Sequence, residues 1–553
     1  MGKADVKRHF NGSVHQTILK DKKTSLSMND FVQIKPGSGK MKSMEAQVRR
    51  AEVKVAAVLA QHNIPLSFAD HLSPLFTELF PDFEIAKKYR SAKTKTTMIL
   101  NNALQPFFQQ ELVDSMKKFP YCLRIDGSND TGLEKMNPLT VKVFDCNGLK
   151  HCFLDMCTTT GMHAGTAESV FSKMENVLQE KFQIPWENCV ALSVDNTNSN
   201  IGIHNSISTR LIAKNPNVYI LGCPCHILHS NASKASDEFE KVVGFDVEDF
   251  CVDVGYWFDK STNRKGLLLE FCSFCDVEYR EAIKHCSTRW LSLSKAIQRI
   301  LSLYPALKSY FLSNDERLVI GFATKNLLRK LINDGDVTDR QCDVFNDAVR
   351  AFLIGALDYA TSHLPLRDEV LKNAQFVDVM NRTEASVNQV YYFVERFQNT
   401  INIPTSEINQ LEEEFVDYQA MCDKTLLPAH ILQEATVYED NEQYIKDSVI
   451  WNYLAILKDK ITGDLRFKKL SKIAKLVLTL PHSNADEERV FSLIRKNKVL
   501  SRSSLDINKT LSSILTVKMS NLEPCFKFEP TSDVLLAAKK ATWSYNQTHM
   551  HAT

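Results

Sequence analysis

Hydrophobic positions change their spacing several times along the chain. Within residues 41–117, MEAQVRRAEVKVAAVLAQHN and FADHLSPLFTELF repeat apolar residues at helical intervals and predict a small helical domain. From about residue 118 the texture changes to short runs rich in β-branched and aromatic residues. These are YCLRID (121–126), LTVKVFDC (139–146) and HCFLDMC (151–157), the last two separated by the turn-prone pair Asn147-Gly148, and they predict a three-stranded meander. Helical TAESVFSKMENVLQEKF, the apolar strand VALSVD (190–195), helical SNIGIHNSISTRLIA, the strand NVYILGC (217–223) and another helix follow, so the order is β-β-β-α-β-α-β-α. Buried strands joined through helices predict parallel pairing with right-handed crossovers. Residues 237–470 read as helix upon helix without strand alternation, as in SKAIQRILSLYPALKSYFL and RQCDVFNDAVRAFLIGALDYA. The end returns to a short apolar stretch, KIAKLVLTLP, then a helix near HSNADEERVFSLIRKNK and an amphipathic helix, LDINKTLSSILTVKMSN. The residues after 525 predict a loose tail.

Composition narrows the class. Eighteen Gly and 17 Pro in 553 residues are few, which disfavours collagen-like, linker-rich or many-turned all-β architectures and favours long helices. No apolar run reaches the roughly 18 residues of a membrane span, and the start MGKADVKRHF lacks the apolar region of a secretory signal. A soluble, intracellular protein with no membrane partner is expected. The 14 scattered cysteines then read as reduced thiols.

Net charge is +1, from 67 Lys plus Arg against 66 Asp plus Glu, which excludes a histone-like or acidic-tail protein. The total hides a gradient, because residues 1–50 carry 11 basic and four acidic residues. A second basic knot contains Lys87, Lys88 and Arg90. Such a rim suits nucleic-acid contact as well as it suits a solvated helix face.

Chemistry concentrates at strand ends. Asp126 closes the first strand and Asp195 the fourth, each followed by small polar residues. In a mixed sheet ordered 3-2-1-4-5 these strands are neighbours, and two converging carboxylates are costly unless a divalent cation neutralises them. This is the layout of an RNase H-like core, in which paired carboxylates hold two Mg²⁺ or Mn²⁺ ions about 4 Å apart. A single Asp after a strand is otherwise an ordinary turn residue.

Five motifs in order, LRIDGSND, ALSVDNTNSNIG, LGCPCHILHSNA, STRWLSLSKAI and LPHSNADEERVFSLIRKNKVLSRSSL, resemble a hAT-superfamily DNA transposase. The pattern Ser-x-x-x-x-Glu-Arg-x-Phe-Ser at 483–492 is the most specific of them. The resemblance implies Asp126, Asp195 and Glu488 as catalytic and metal-binding residues, with Asp130 and Glu487 as competing assignments. Ser483 is an N-cap candidate with Asp486 three residues on, which would place Glu488 early on a helix. The resemblance further implies an RNase H-like α/β core interrupted by an all-α insertion. Arg289 and Trp290 would contact an exposed base beside the cleavage point. Cys223 and His226 would lie near DNA, and Phe491, Leu511, Ile514 and Leu515 would form a dimer interface.

The expected division is 1–40 basic segment, 41–117 helical DNA-binding or dimerisation domain, 118–236 core, 237–470 insertion, 471–525 last part of the core, and 526–553 tail. KADVKRHFNGSVHQ resembles the end of a BED-type zinc finger, with His9 and His15 as its late ligands. The early Cys pair is missing, and two ligands cannot close a tetrahedral zinc site, so a truncated finger without zinc is expected. Two functions compete: a nuclear, homodimeric transposase cutting double-stranded DNA with Mg²⁺ or Mn²⁺, and a domesticated, catalytically silent DNA-binding regulator.

Overall fold

The computed structural model describes residues 43–127, 134–244, 246–259, 261–283, 292–313, 338–421, 427–439, 442–483, 485–498, 505–520, 522, 524 and 526–550. His9, His15, Asp130, Arg289 and Trp290 therefore lie outside the described residues, as does the whole segment 1–40. Among the described residues no helix is long and apolar enough to cross a membrane.

Among the described residues, seven strands precede residue 223: β1 (Tyr121–Ile125), β2 (Glu134–Lys135), β3 (Pro138–Asp145), β4 (Gly148–Met156), β5 (Thr159–Thr160), β6 (Cys189–Val194) and β7 (Tyr219–Gly222). Five of them form a mixed sheet in the order β4-β3-β1-β6-β7. β1, β3 and β4 pair antiparallel, while β6 is parallel to both β1 and β7. The count departs from the expected 3-2-1-4-5 because the two short strands β2 and β5 leave the sheet and pair with each other. Gly148, at φ +112°, closes the tight turn from β3 to β4 in a backbone region that side chains disfavour.

Successive side chains point to opposite faces of a strand, so each sheet face gathers its own core. Leu123, Ile125, Val141, Val143, Leu192 and Val194 pack under the helices Gln105–Lys118, Ala167–Glu175 and Ile207–Lys214. Cys122, Phe144, Ala191 and Leu221 face the other way, toward Phe376, Phe393, Trp451, Leu470 and Ile473. The later part of the expected insertion 237–470 is thus a covering layer of the sheet. A separate core gathers residues from Cys251 to Tyr310, and the helix Pro224–Val243 packs along Asp339–His363. A hairpin, β8 (Thr436–Glu439) with β9 (Glu442–Ile445), interrupts the expected run of helices. The apolar stretch KIAKLVLTLP falls largely within a helix, Lys468–Thr479, most of whose residues are buried against the sheet and neighbouring helices.

One expectation near the C-terminus is corrected, and the described chain already covers the side chains of another. The tail is a helix, Ser532–Met550, whose Val534, Leu535 and Ala538 pack on Val53, Ala56, Ile99 and Leu100 near the other end of the chain. Glu529 reinforces this junction by pairing with Arg50 and, at 2.6 Å, with Lys54. The four residues expected between chains are buried within one. Phe491, Leu511 and Leu515 pack against Met136, Phe153 and Met156, and Ile514 joins the N-terminal helices, none of the four being more than 6% exposed. The helix Ser512–Lys518 lies between β4 and the helix Met44–Gln61, so its apolar stripe is already covered.

Phe491→Ala should cost roughly 3–5 kcal/mol, the usual range for an aromatic deleted from a packed core. Denaturant unfolding at several protein concentrations measures this, and the loss should be the same at each, because the contacts lie within one chain.

Candidate active site

The face of the sheet that carries Cys122 and Phe144 also carries a buried polar row. Arg124, Thr140 and Lys142 are each no more than 3% exposed, positions where an uncompensated polar group is expensive. Their partners come from the helix Ala485–Asn497 and the residues before it. Asp486 pairs with Arg124, lies 3.0 Å from Nδ1 of His151, and takes a further bond from Arg489 at 2.8 Å. The hydroxyl of Thr140 donates to Glu487, and Lys142 Nζ donates to the Leu480 carbonyl at 2.8 Å. Asp486 is thus spent on the sheet.

Titration follows this geometry. Burial works to raise the Asp486 carboxyl, but the His151 hydrogen bond and the Arg124 charge hold it well below the usual carboxylate range. Burial pushes Glu487 up to about 7 despite Arg124. Burial, with Arg124 alongside, brings Lys142 down to about 7. Glu487 therefore points inward and is occupied, whereas Glu488 on the next helical position is partly exposed.

Asp126 and Asp195 line one cavity of about 180 Å³ at the ends of β1 and β6, together with Gly127, Lys135, Asn137 and Asn200. Asp126 is 7% exposed and accepts a 2.8 Å bond from the Gly127 amide. Burial first, then the charges of Asp195 and Glu488, push its carboxyl up to about 8. The third carboxylate, 362 residues along the chain from Asp126, thus acts on the same spot. Asp195 is oriented through Oδ1, which accepts from the Thr197 amide at 2.9 Å, the Thr197 hydroxyl at 2.6 Å and Asn200 Nδ2 at 2.6 Å.

Next to Asp195, Asn196 donates to the Cys223 carbonyl at 2.8 Å and ties the ends of β6 and β7 together. A Cβ at Gly222 would lie 2.0 Å from the Asn196 side-chain oxygen, so the approach requires glycine. Cys223 is fully buried at the start of the helix Pro224–Val243. His226, one turn on, is lowered by burial against the opposing charge of Asp195. Cys223 and His226 are therefore close to the carboxylate end of the sheet.

The basic knot is elsewhere. Lys87 and Lys88 pair with Glu84 at 3.4 and 3.9 Å. Arg90 donates to the Tyr89 carbonyl at 2.8 Å. Lys88 and Arg90 line a groove of about 310 Å³ with Glu45, Glu52, Lys539 and Trp543, so basic and acidic groups alternate there.

Among the described residues, no group of three or more His, Cys, Asp or Glu side chains stands at metal-ligating spacing. Asp126, Asp195 and Glu488 share an electrostatic neighbourhood without forming a closed coordination shell. The donor set is nonetheless all oxygen, the kind hard divalent cations take, and the charges of Asp195 and Glu488 add to the burial that raises the Asp126 carboxyl. Sequence reasoning missed Arg124, Lys135, Thr197 and Asn200. Thr197 and Asn200 carried a readable signal, since both lie in the polar loop directly after a strand-terminal Asp.

A carboxyl raised from 3.8 to about 8 holds, in the folded state, a proton that the unfolded chain has lost, so its contribution to stability falls as pH rises through that window. Without divalent ions, Asp126→Asn should gain several kcal/mol, at most about 5, over the wild type at pH 8 and little at pH 4. Denaturant unfolding at the two pH values measures the difference.

Residues 430–519 match the model of the hAT family C-terminal dimerisation region, a span that holds β8, β9 and the helices Lys468–Thr479, Ala485–Asn497 and Ser512–Lys518. The likeness to the hAT family is thus one of this C-terminal region, which the matching model describes as a dimerisation region.

Proposed function

We propose that this chain is a hAT-type transposase-like protein with an RNase H-like core, which binds double-stranded DNA and cleaves and joins its strands at Asp126, Asp195 and Glu488. The observation that carries the reading is that Asp126 and Asp195, at two strand ends, line one cavity, and that Glu488 of a distant helix is near enough for its charge to act on Asp126. A structural Asp at a turn would have no reason to collect two further carboxylates.

In this reading Asp126, Asp195 and Glu488 are the residues that would hold Mg²⁺ or Mn²⁺, which, when bound, activate the attacking oxygen and stabilise the leaving oxygen of a phosphodiester. Asp126 would have to be ionised to hold such a cation. Thr197 and Asn200 fix one oxygen of Asp195 and leave the other to face the cavity. Glu488 completes the set from the docked helix, while Asp486 and Glu487 hold that helix in place. Cys223 and His226 border the same end of the sheet, where the DNA strand would enter. Such a protein acts in the nucleus, as an oligomer.

Purified protein with Mn²⁺ should nick duplex DNA carrying its own terminal repeats, and Asp195→Asn should lower the single-turnover rate at least 10³-fold, as loss of a metal-binding carboxylate does. Gel analysis of end-labelled DNA measures both. Wild type that binds the duplex yet nicks no faster than Asp195→Asn would instead indicate a silent, DNA-binding descendant.

A further inference from the structure

The two short strands outside the main sheet add nothing to its cores, yet they are well fastened. β2 and β5 pair Glu134 with Thr160 and Lys135 with Thr159. The hydroxyl of Thr159 donates to the Ala164 carbonyl at 2.7 Å. The buried Asn137 donates to the Cys157 carbonyl at 2.7 Å and to the Thr159 hydroxyl at 3.2 Å. These bonds hold the backbone around one residue in particular, Lys135.

The Lys135 side chain passes between two glycines. A Cβ at Gly127 would lie 2.7 Å from its Cε and 3.1 Å from its Nζ, and a Cβ at Gly165 would lie 3.7 Å from Nζ. A side chain at Gly127, the residue directly after Asp126, would crowd the lysine, whereas Gly165 lies at ordinary contact distance. Lys135 lines the cavity of Asp126 and Asp195, and among the described residues its ammonium makes no hydrogen bond or ion pair. A lysine that merely neutralised the carboxylates would be expected to pair with one of them.

We infer that Lys135 binds the phosphate of the nucleic acid strand delivered to Asp126 and Asp195, its ammonium taking a non-bridging oxygen of the phosphodiester. The inference rests on the DNA-cleaving function proposed above. A cavity walled by carboxylates repels a polyanion, and one fixed cation at its wall both offsets that repulsion and sets where the phosphate stops. A lysine ammonium, a compact charge with three donors, suits a tetrahedral phosphate approached from one side. Lys135 is thus a substrate-positioning residue, tied to Asp126 through Gly127.

The test compares wild type, Lys135→Ala, Lys135→Gln and Lys135→Arg, each confirmed folded by its melting temperature. Binding of a fluorescein-labelled 30-base-pair duplex is measured over a range of NaCl concentrations in Ca²⁺, and single-turnover nicking in Mn²⁺. Losing one phosphate contact should reduce the magnitude of the slope of log K against log salt by about 0.9 in the Ala and Gln variants. Their nicking rate should fall on the order of 10²-fold, as expected for lost positioning, and Arg should restore the slope. Ala and Gln variants with the wild-type slope and rate overturn the role of Lys135 while leaving the cleavage reading intact. Wild type that neither binds nor nicks the duplex overturns both.

Discussion

The site depends on one buried ion pair, Arg124 of the first strand with Asp486 of the helix Ala485–Asn497. Pairs of this kind add little net stability, because desolvation offsets their attraction, but breaking one by removing a single partner costs about 3–5 kcal/mol. What the pair supplies is register. Residues on a helix advance by about 100° each, so fixing Asp486 on Arg124 and His151, and Glu487 on Thr140, leaves one direction for Glu488. Glu488 stands near enough to Asp126 for its charge to add to the burial and the Asp195 charge that raise that carboxyl. A shift of one residue would place a different side chain there and strand Arg124 without a partner.

The two faces of the sheet divide the remaining work. One face is largely apolar and rests on helices that follow or precede its own strands, so it forms from local connections. The other begins as apolar contacts around Cys122 and Phe144 and ends as the polar row that receives the last helix of the core. Chain drawn from beyond residue 370 closes that face, and the C-terminal helix then packs against the N-terminal ones. The carboxylate cavity lies at the ends of β1 and β6, where Asp126 and Asp195 stand.

Much of this was legible in the sequence because it follows from period and position. The runs at 121–126, 139–146, 151–157, 190–195 and 217–223 are strands in the structure, and the carboxylates ending the first and fourth share a cavity. The polar row was not legible, since Arg124, Thr140 and Lys142 alternate with apolar residues just as a solvent-facing row would. Only the arrival of Asp486 and Glu487 from more than 340 residues away makes them interior. For the same reason the amphipathic stripe of Leu511, Ile514 and Leu515 read as an intermolecular surface. A period shows that one side is covered and does not show by what. Lys135 escaped notice because a two-residue strand carries no pattern at all.

The central claim is that the Arg124–Asp486 pair delivers Glu488 to Asp126 and Asp195 as a site for divalent cations. Anomalous diffraction from crystals soaked in Mn²⁺ tests it most directly. The predicted result is manganese bound by Asp126 and Asp195 with Glu488 turned toward it and the ion pair intact. An intact pair with no manganese in that cavity, or with Glu488 directed away from it, would contradict the claim.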